Sequence, residues 1–463
     1  MAKKITIFVA ILLVLPSLSM VYDTKNVTNG EYECSFTDKE QSRCANSALK
    51  PHVVVAIIDS GINVYHEVFR RPNMTQHPSE YIEGFPEDVP PVTNLTFGGY
   101  YWTNIKKDEK IWESLSTKKL YWFPYTNIIG ISFEEEGYPI LPETGGWHGT
   151  STSSIISMKC HEAIILMIES DAYTLEEAFS WAVEQSWIDI ILPEFATWEI
   201  DGREEWSKIP EISKRGVENG KIIIAPAGNR PWHISLLSNV CGMPWVINVG
   251  GVESYSHGAT IFVSKLPDYV SNYTEYVAFI PPPPNPYDIF NFSYRYGSGT
   301  SISTPVVVSA FASIILKLRQ ELNYTHGVVD KALINIPERG IRITNWDIRN
   351  VVNHTAIYWR MREWRPGHWP YWKDPCWLSF LTNPLLWPFC WIFLELRVLT
   401  TTRPISSFAP WLQMGWGFVN ESIVDDTVDI LLSRKEMPEK PEGAVKYMEW
   451  IYHIRQKIWE EAK

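Results

Sequence analysis

The 463-residue chain has no run of Lys or Arg, no Cys-x-x-Cys, and no Cys/His spacing that suggests a zinc site. With 41 Lys+Arg against 53 Asp+Glu its net charge is −12. An acidic chain without basic clusters is unsuited to binding nucleic acid through its phosphates. No clustered carboxylate loop of the kind that takes calcium stands out, and no repeat of fixed period is visible. Residues 20–50 are polar and short. What is plentiful is apolar: 45% of residues are hydrophobic, and 22 are Trp. That excludes wholesale disorder and allows a sizeable core. At ~150 residues per domain the length predicts roughly three domains, or one large domain with insertions.

The first residues read as a secretion signal over 1–19. Lys3 and Lys4 precede an apolar run from Ile5 to Leu15, Pro16 breaks it, and Ser17-Leu18-Ser19 supplies small residues for cleavage. The alternative is an uncleaved anchor, against which stands the shortness of the run, since a bilayer span needs ~20 residues. Eight Asn-x-Ser/Thr sequons agree with export, at Asn26, Asn73, Asn94, Asn272, Asn291, Asn323, Asn353 and Asn420; chance would give roughly three. The six cysteines form local couples, Cys34 with Cys44, Cys160 with Cys241 and Cys376 with Cys390, among 15 pairings that six cysteines allow. A secreted or cell-surface protein is expected.

After an N-terminal arm over 20–50, His52–Asp59 is a β-branched run of the kind buried in a parallel sheet. Residues 71–146 are rich in Pro, Gly and aromatics, and read as a loop-rich insertion with short strands at most. Beyond them, apolar strands at 162–169, 189–192 and 221–225 alternate with helices at 148–158, 174–185 and 203–219. Thr174 with Glu177 has the spacing of a capping box. The alternation predicts an α/β domain with a mainly parallel sheet flanked by helices. In such sheets functional groups gather at the carboxyl ends of strands. Pro281–Pro286 forms a surface loop, Thr304-Pro305 opens an apolar helix through about Leu318, and a further helix covers 345–357. The tail, 431–463, holds an amphipathic helix with Val445, Met448, Ile451, Ile454 and Ile458 on one stripe.

Nucleophilic acyl transfer by serine needs a hydroxyl, a base to take its proton, and a carboxylate that fixes the tautomer of the base. Three motifs supply them in the order Asp, His, Ser: Ile58-Asp59-Ser60-Gly61, His148-Gly149-Thr150, and Gly299-Thr300-Ser301-Ile302-Ser303-Thr304-Pro305. A fourth, Ala225-Pro226-Ala227-Gly228-Asn229, offers a side-chain amide after a tight turn, a suitable donor to an oxyanion. Each residue alone has a plainer reading: a turn at Asp59, a helix cap at His148 or Ser301, a left-handed turn at Asn229. Their joint order on the expected elements does not.

With these motifs the sequence resembles the subtilisin-like serine peptidases, the subtilases, over about residues 50–430. Val54–His66 fits the strand, Asp-[Ser/Thr]-Gly and downstream His; Gly415–Ser422 resembles a segment near the end of subtilase domains. The resemblance implies a three-layer subtilisin-like domain over 51–430, with insertions at about 71–146 and 358–412. It implies Asp59, His148 and Ser301 as triad, Asn229 in the oxyanion hole, protein or peptide substrates, and no cofactor other than a structural calcium ion for which the sequence locates no site. It places Glu194, Phe195, Ala196, Ala227, Gly228 and Arg230 along the substrate, with Arg230 favouring an acidic side chain. Two departures stand out. His-Gly-Thr is followed by Ser151-Thr152-Ser153-Ser154, and Glu194-Phe195-Ala196 replaces the usual Ser-Leu-Gly. Residues 20–50 are also too few for the folded inhibitory propeptide common in the family. A catalytically weak subtilase-like surface binding protein is the competing expectation.

Residues 358–412 hold eight Trp and seven Pro, and Pro375–Leu394 is 20 residues without a charge. That is long enough to span a bilayer, ~20 residues, but Pro384 and Pro388 interrupt it and Gly415–Ser422 follows it. A looped insertion is expected, its Trp side chains facing substrate or a lipid surface. After signal removal the protein should fractionate without detergent. Carbonate-resistant membrane association that disappears on deleting 375–394 would instead reveal a span.

Overall fold

The computed structural model describes residues 50–142, 147–195, 208–229, 242–255, 258–262, 267–272, 274–278, 290–358, 402–404 and 411–461. The signal, the arm to residue 49, Ala196, Arg230 and Pro375–Leu394 lie outside them, as do Cys34, Cys44, Cys241, Cys376 and Cys390. Cys160 is a buried free thiol.

The strands are β1 (Val54–Asp59), β2 (Tyr121–Trp122), β3 (Ile128–Ser132), β4 (Ile164–Glu169), β5 (Ile190–Pro193), β6 (Ile222–Pro226), β7 (Ile247–Tyr255), β8 (Gly258–Phe262), β9 (Tyr269–Asn272), β10 (Thr274–Ala278), β11 (Tyr294–Ser298), β12 (Ile334–Ile336), β13 (Ile341–Ile343) and β14 (Thr402–Pro404). The helices are α1 (Tyr101–Lys107), α2 (Glu109–Trp112), α3 (Trp147–Lys159), α4 (Leu175–Glu184), α5 (Ile209–Glu218), α6 (Thr300–Leu322), α7 (Asn345–Thr355), α8 (Trp411–Met414), α9 (Val424–Leu431) and α10 (Glu442–Glu461). The main sheet runs in the order β14-β8-β7-β6-β5-β1-β4-β3-β2, with β9 on β7. Its centre, β3 through β7, is parallel, and β2, β8 and β14 add antiparallel edges.

The β-branched runs form this centre because both faces of the sheet are covered. All six residues of β1 are buried. Val55 and Ile57 face one apolar layer, shared with α3, α6, α7, α9 and α10; Val54, Ala56 and Ile58 face the other, shared with α4 and α5. Period-two alternation thus feeds two cores at once, the three-layer α/β arrangement expected from the sequence. The segment 71–146 is more than an insertion: β3 lies in the central sheet, in register with β4 from Ile128↔Ile165 to Ser132↔Glu169.

Three local expectations need correction. Thr174 does not form a capping box. Its backbone is helical, and its hydroxyl turns back to Asp171, while Glu177 pairs with Lys118 on the surface. Helix α6 opens at Thr300, with Pro305 in its second turn, rather than at Thr304. On α10 the buried stripe is Ala444, Met448, Ile451 and Arg455. Among the described residues α6 is the one helix long and apolar enough to cross a membrane, yet 83% of its apolar window is buried inside the protein.

The end of the chain is built into the domain through Asp268. Its carboxylate accepts from Arg455 Nη1 at 2.8 Å, Arg349 Nη2 at 3.2 Å, Tyr452 Oη at 2.8 Å and Asn248 N at 2.8 Å. Burial alone would raise its pKa, but the Arg455 and Arg349 charges and these bonds hold it below the ordinary Asp range. The stability it confers is therefore full above that range and lost as pH falls through the depressed value. Gly415 lies against Asp268: a Cβ there would sit 2.1 Å from the Pro267 carbonyl oxygen. Next to it Ile357 and Phe418 exchange backbone hydrogen bonds at 2.8–2.9 Å. Arg455→Ala removes one of two cations from a fully buried carboxylate and should cost about 3–5 kcal/mol in urea unfolding at neutral pH. A loss below ~1 kcal/mol would show that the salt bridge is not integral, since that is the worth of an exposed pair.

Candidate active site

Three adjacent strands end on carboxylates pointing to the same face. Glu169 on β4 is in register with Asp59 on β1, and Glu194 directly follows β5 on the other side of β1, where Ile58 pairs with Pro193. Over that face the starts of α3 and α6 arrive with His148 and Ser301. Helix α3 comes close because Gly149 has no side chain: a Cβ there would lie 2.3 Å from the Gly61 carbonyl oxygen and 3.2 Å from Asp59 Cβ. The run Ser151–Ser154, all buried, continues this close packing. Ser151 Oγ donates to Ala278 O at 2.9 Å, and Ser154 Oγ accepts from Ala278 N at 3.0 Å. The replacement of the usual residues after His-Gly-Thr thus anchors the helix to β10.

His148 Nδ1 lies 2.8 and 3.0 Å from the two Asp59 oxygens. Ser60 N donates to Asp59 Oδ1 at 2.7 Å and Thr152 Oγ1 to Oδ2 at 3.1 Å, so both oxygens are engaged. This fixes the proton on Nδ1 and leaves Nε2 as the working nitrogen. Burial disfavours the imidazolium, but the Asp59 charge and hydrogen bond, and then Glu194, outweigh it and push His148 up to about 9. The motif's other histidine, His66, is buried and bonded to Ser293 O at 3.0 Å; burial lowers it to about 4, which keeps it neutral at pH 7.

Ser301 is the second residue of α6 and partly exposed. No direct His148–Ser301 hydrogen bond is present among the described residues. Such bonds commonly tighten only when substrate binds. Asn229 is exposed, follows Gly228 with φ +92°, and accepts at Oδ1 from Thr300 N (2.8 Å) and Thr300 Oγ1 (3.1 Å). With Oδ1 taken, Nδ2 is left to donate toward the helix start, where the Ser301 N–H and the helix dipole also favour negative charge. Thr300 also accepts from Gly228 N at 3.1 Å. It is the bridge between nucleophile and oxyanion motifs that motif reading passed over, although it sits between Gly299 and Ser301 in plain view.

The remaining residues divide. Ala227 is partly exposed, with its N–H given to Val249 O at 2.9 Å, and Gly228 is buried. Glu194 is buried at 9% exposure. Phe195 packs against the opposite apolar layer, with α4 and α5, and so turns away from the face bearing Ser301. Among the described residues no group of three or more His, Cys, Asp or Glu is placed to hold a metal ion.

The family model described as Peptidase_S8, the subtilase family, matches residues 50–356. Similar solved structures include sphericase, 12% identical over 61% of this chain and 81% of that one, TM-score 0.33. Another is the patellamide maturation protease PatG, 14% identical over 82% and 92%, TM-score 0.40. A third is the nisin leader peptidase NisP from Lactococcus lactis, 13% identical over 60% and 80%, TM-score 0.33. No curated protein matches the chain.

If Asn229 Nδ2 is an oxyanion donor, Asn229→Ala should lower kcat by about 10²–10³ with little change in KM, because the bond forms chiefly in the transition state. A turn residue would instead show a lowered Tm with kcat intact, so the three quantities measured together decide.

Proposed function

The chain belongs to the subtilase family, and from that premise we propose that it is a secreted serine endopeptidase working through Asp59, His148 and Ser301. The observation that carries the reading is the doubly engaged Asp59 carboxylate on His148 Nδ1, on the same sheet face as the start of α6. In this mechanism Ser301 Oγ attacks the peptide carbonyl while its proton passes to His148 Nε2. Asp59 holds the tautomer and stabilises the imidazolium. The oxyanion is met by Asn229 Nδ2 and the Ser301 N–H. His148 then protonates the departing amine, and water repeats the sequence on the acyl-enzyme.

Secretion rests on the N-terminal signal and the sequons. Asn73, Asn94 and Asn323 are exposed and able to carry sugar. Asn291 is 2% exposed, with Nδ2 given to Gly98 O at 3.2 Å and Oδ1 accepting from Asn63 at 3.1 Å, so its sequon is closed in the folded chain. Preference for an acidic side chain through Arg230 stays part of the proposal. The competing reading, a catalytically weak surface binding protein, draws on the absence of a direct His148–Ser301 bond among the described residues.

A fluorophosphonate separates the two: a peptidase is labelled at Ser301, a binding protein is not. Ser301→Ala or His148→Ala should lower turnover by about six orders of magnitude, and Asp59→Ala by less. Peptidase activity of purified Ser301→Ala near the wild-type level would sink the reading.

A further inference from the structure

The triad and the oxyanion donors leave one carboxyl at the centre without a task. Glu194 N donates to Ile58 O at 3.0 Å, which sets Glu194 beside Asp59 at the carboxyl edge of the sheet. In β5, Ile190 and Leu192 face the layer of α3 and α6, and Ile191 faces the other. Glu194 continues the first set and Phe195 the second. The Glu194 side chain is thus directed at the helix starts that carry His148 and Ser301. It is only 9% exposed, and neither carboxyl oxygen has a partner of good hydrogen-bond geometry. Glu169, across β1 from it, in contrast accepts the Ile140 N–H at 2.6 Å. A buried carboxyl with a purely structural role is ordinarily satisfied.

The groups that bear on it come from three elements: His148 on α3, Asp59 on β1 and Ser301 on α6. Those that bear on His148 are Asp59 and Glu194. From β11, Arg295 lies over the Trp147 ring at 4.0 Å, and that ring is 5.8 Å from His148. We propose that Glu194 is a positioning residue of this centre: its carboxyl shares one proton with the His148 imidazole and so sets the pH above which His148 is free to act as a base. The proposal rests on the reading of Asp59, His148 and Ser301 as the triad.

The proton has two places to sit. On Glu194, it leaves His148 Nε2 neutral; Nε2 can then take the Ser301 proton as the Oγ–C bond forms and the carbonyl electron pair moves to oxygen. On Nε2, it makes an imidazolium that the nearby Glu194 carboxylate stabilises by charge and that cannot accept the Ser301 proton. Loss of the shared proton at higher pH leaves a carboxylate and a neutral base. Consistent with this, burial raises Glu194 well above the ordinary carboxylate range, Asp59 adds to the rise, and His148 and Ser301 oppose it. Two groups coupled in this way titrate as a pair.

The test compares wild type with Glu194→Gln, which keeps the shape and removes the charge. The His148 ring is titrated by NMR in the full chain, its signal assigned by its loss in His148→Asn, and fluorophosphonate labelling of Ser301 is timed across the same pH range. The His148 midpoint should fall by about one unit in Glu194→Gln. The acid limb of labelling should move with it, making labelling about tenfold faster at pH 7. Should Glu194→Gln not fold, Glu194→Ser is read in the same way. An unchanged His148 midpoint with Ser301 still labelled overturns the proton sharing alone. A shifted midpoint with no labelling at any pH upholds the sharing and overturns the peptidase reading.

Discussion

A bidentate ion pair with no exposure to solvent holds the two halves of the proposed catalytic machinery in register. Arg319, near the end of α6, donates to both Asp189 oxygens at 2.6 and 2.9 Å, and also to His52 O and Leu333 O. Asp189 in turn accepts from Val54 N at 2.9 Å, where β1 begins. The starts of β1 and β5 and the far end of α6 thus meet at one buried point. Ser301 lies 18 residues back along the helix, ~27 Å at 1.5 Å per residue. Asp59 and Glu194 lie at the other ends of the two strands. Such a pair adds little net stability over an apolar substitute, because both charges are desolvated. Its consequence is geometric, since a helix slipped by one residue would strand a charge in the core.

At the opposite edge the same sheet crowds three carboxylates onto neighbouring strands, which lie ~4.8 Å apart. The structure treats each differently. Glu169 is satisfied by a backbone N–H, and Asp59 collects an imidazole, a hydroxyl and a backbone N–H. Neither Glu194 oxygen has a partner of good hydrogen-bond geometry, and Ser301 is the hydroxyl that bears on it. Like charges so close cannot all ionise at little cost when water is excluded. Burial without such partners raises the Glu194 carboxyl well above the ordinary carboxylate range. The close approach of Gly149 to the Gly61 carbonyl places His148 within this field.

The C-terminal region follows a similar logic. Asp268 gathers Arg349 and Arg455, the Ile357–Phe418 exchange ties the end of α7 to the residues after α8, and α10 lays Met448 and Ile451 into the layer behind α6. The tail is therefore part of the core that supports α6.

Much of the fold was legible in the residues alone, because it is coded over short stretches. β-branched runs made the parallel strands, and four motifs named Asp59, His148, Ser301 and Asn229. Where a local rule met a competing partner, it failed: Thr174 had the spacing of a capping box but found Asp171 first. The amphipathic pattern of the tail could not show that Arg455 belongs to its buried side, because the carboxylate that makes this tolerable is 187 residues away. Nor could the sequon at Asn291 reveal its burial against Asn63, 228 residues earlier. The resemblance to subtilases placed Glu194 beside the substrate, in the position of their Ser-Leu-Gly segment. That it points at His148 while Phe195 turns to the opposite layer depends on which strands flank β5 and which helices cover each face. Residue type and spacing determine what each short segment can do. Strand order and helix placement decide which charges share a desolvated space, and that information exists only between segments far apart in the chain.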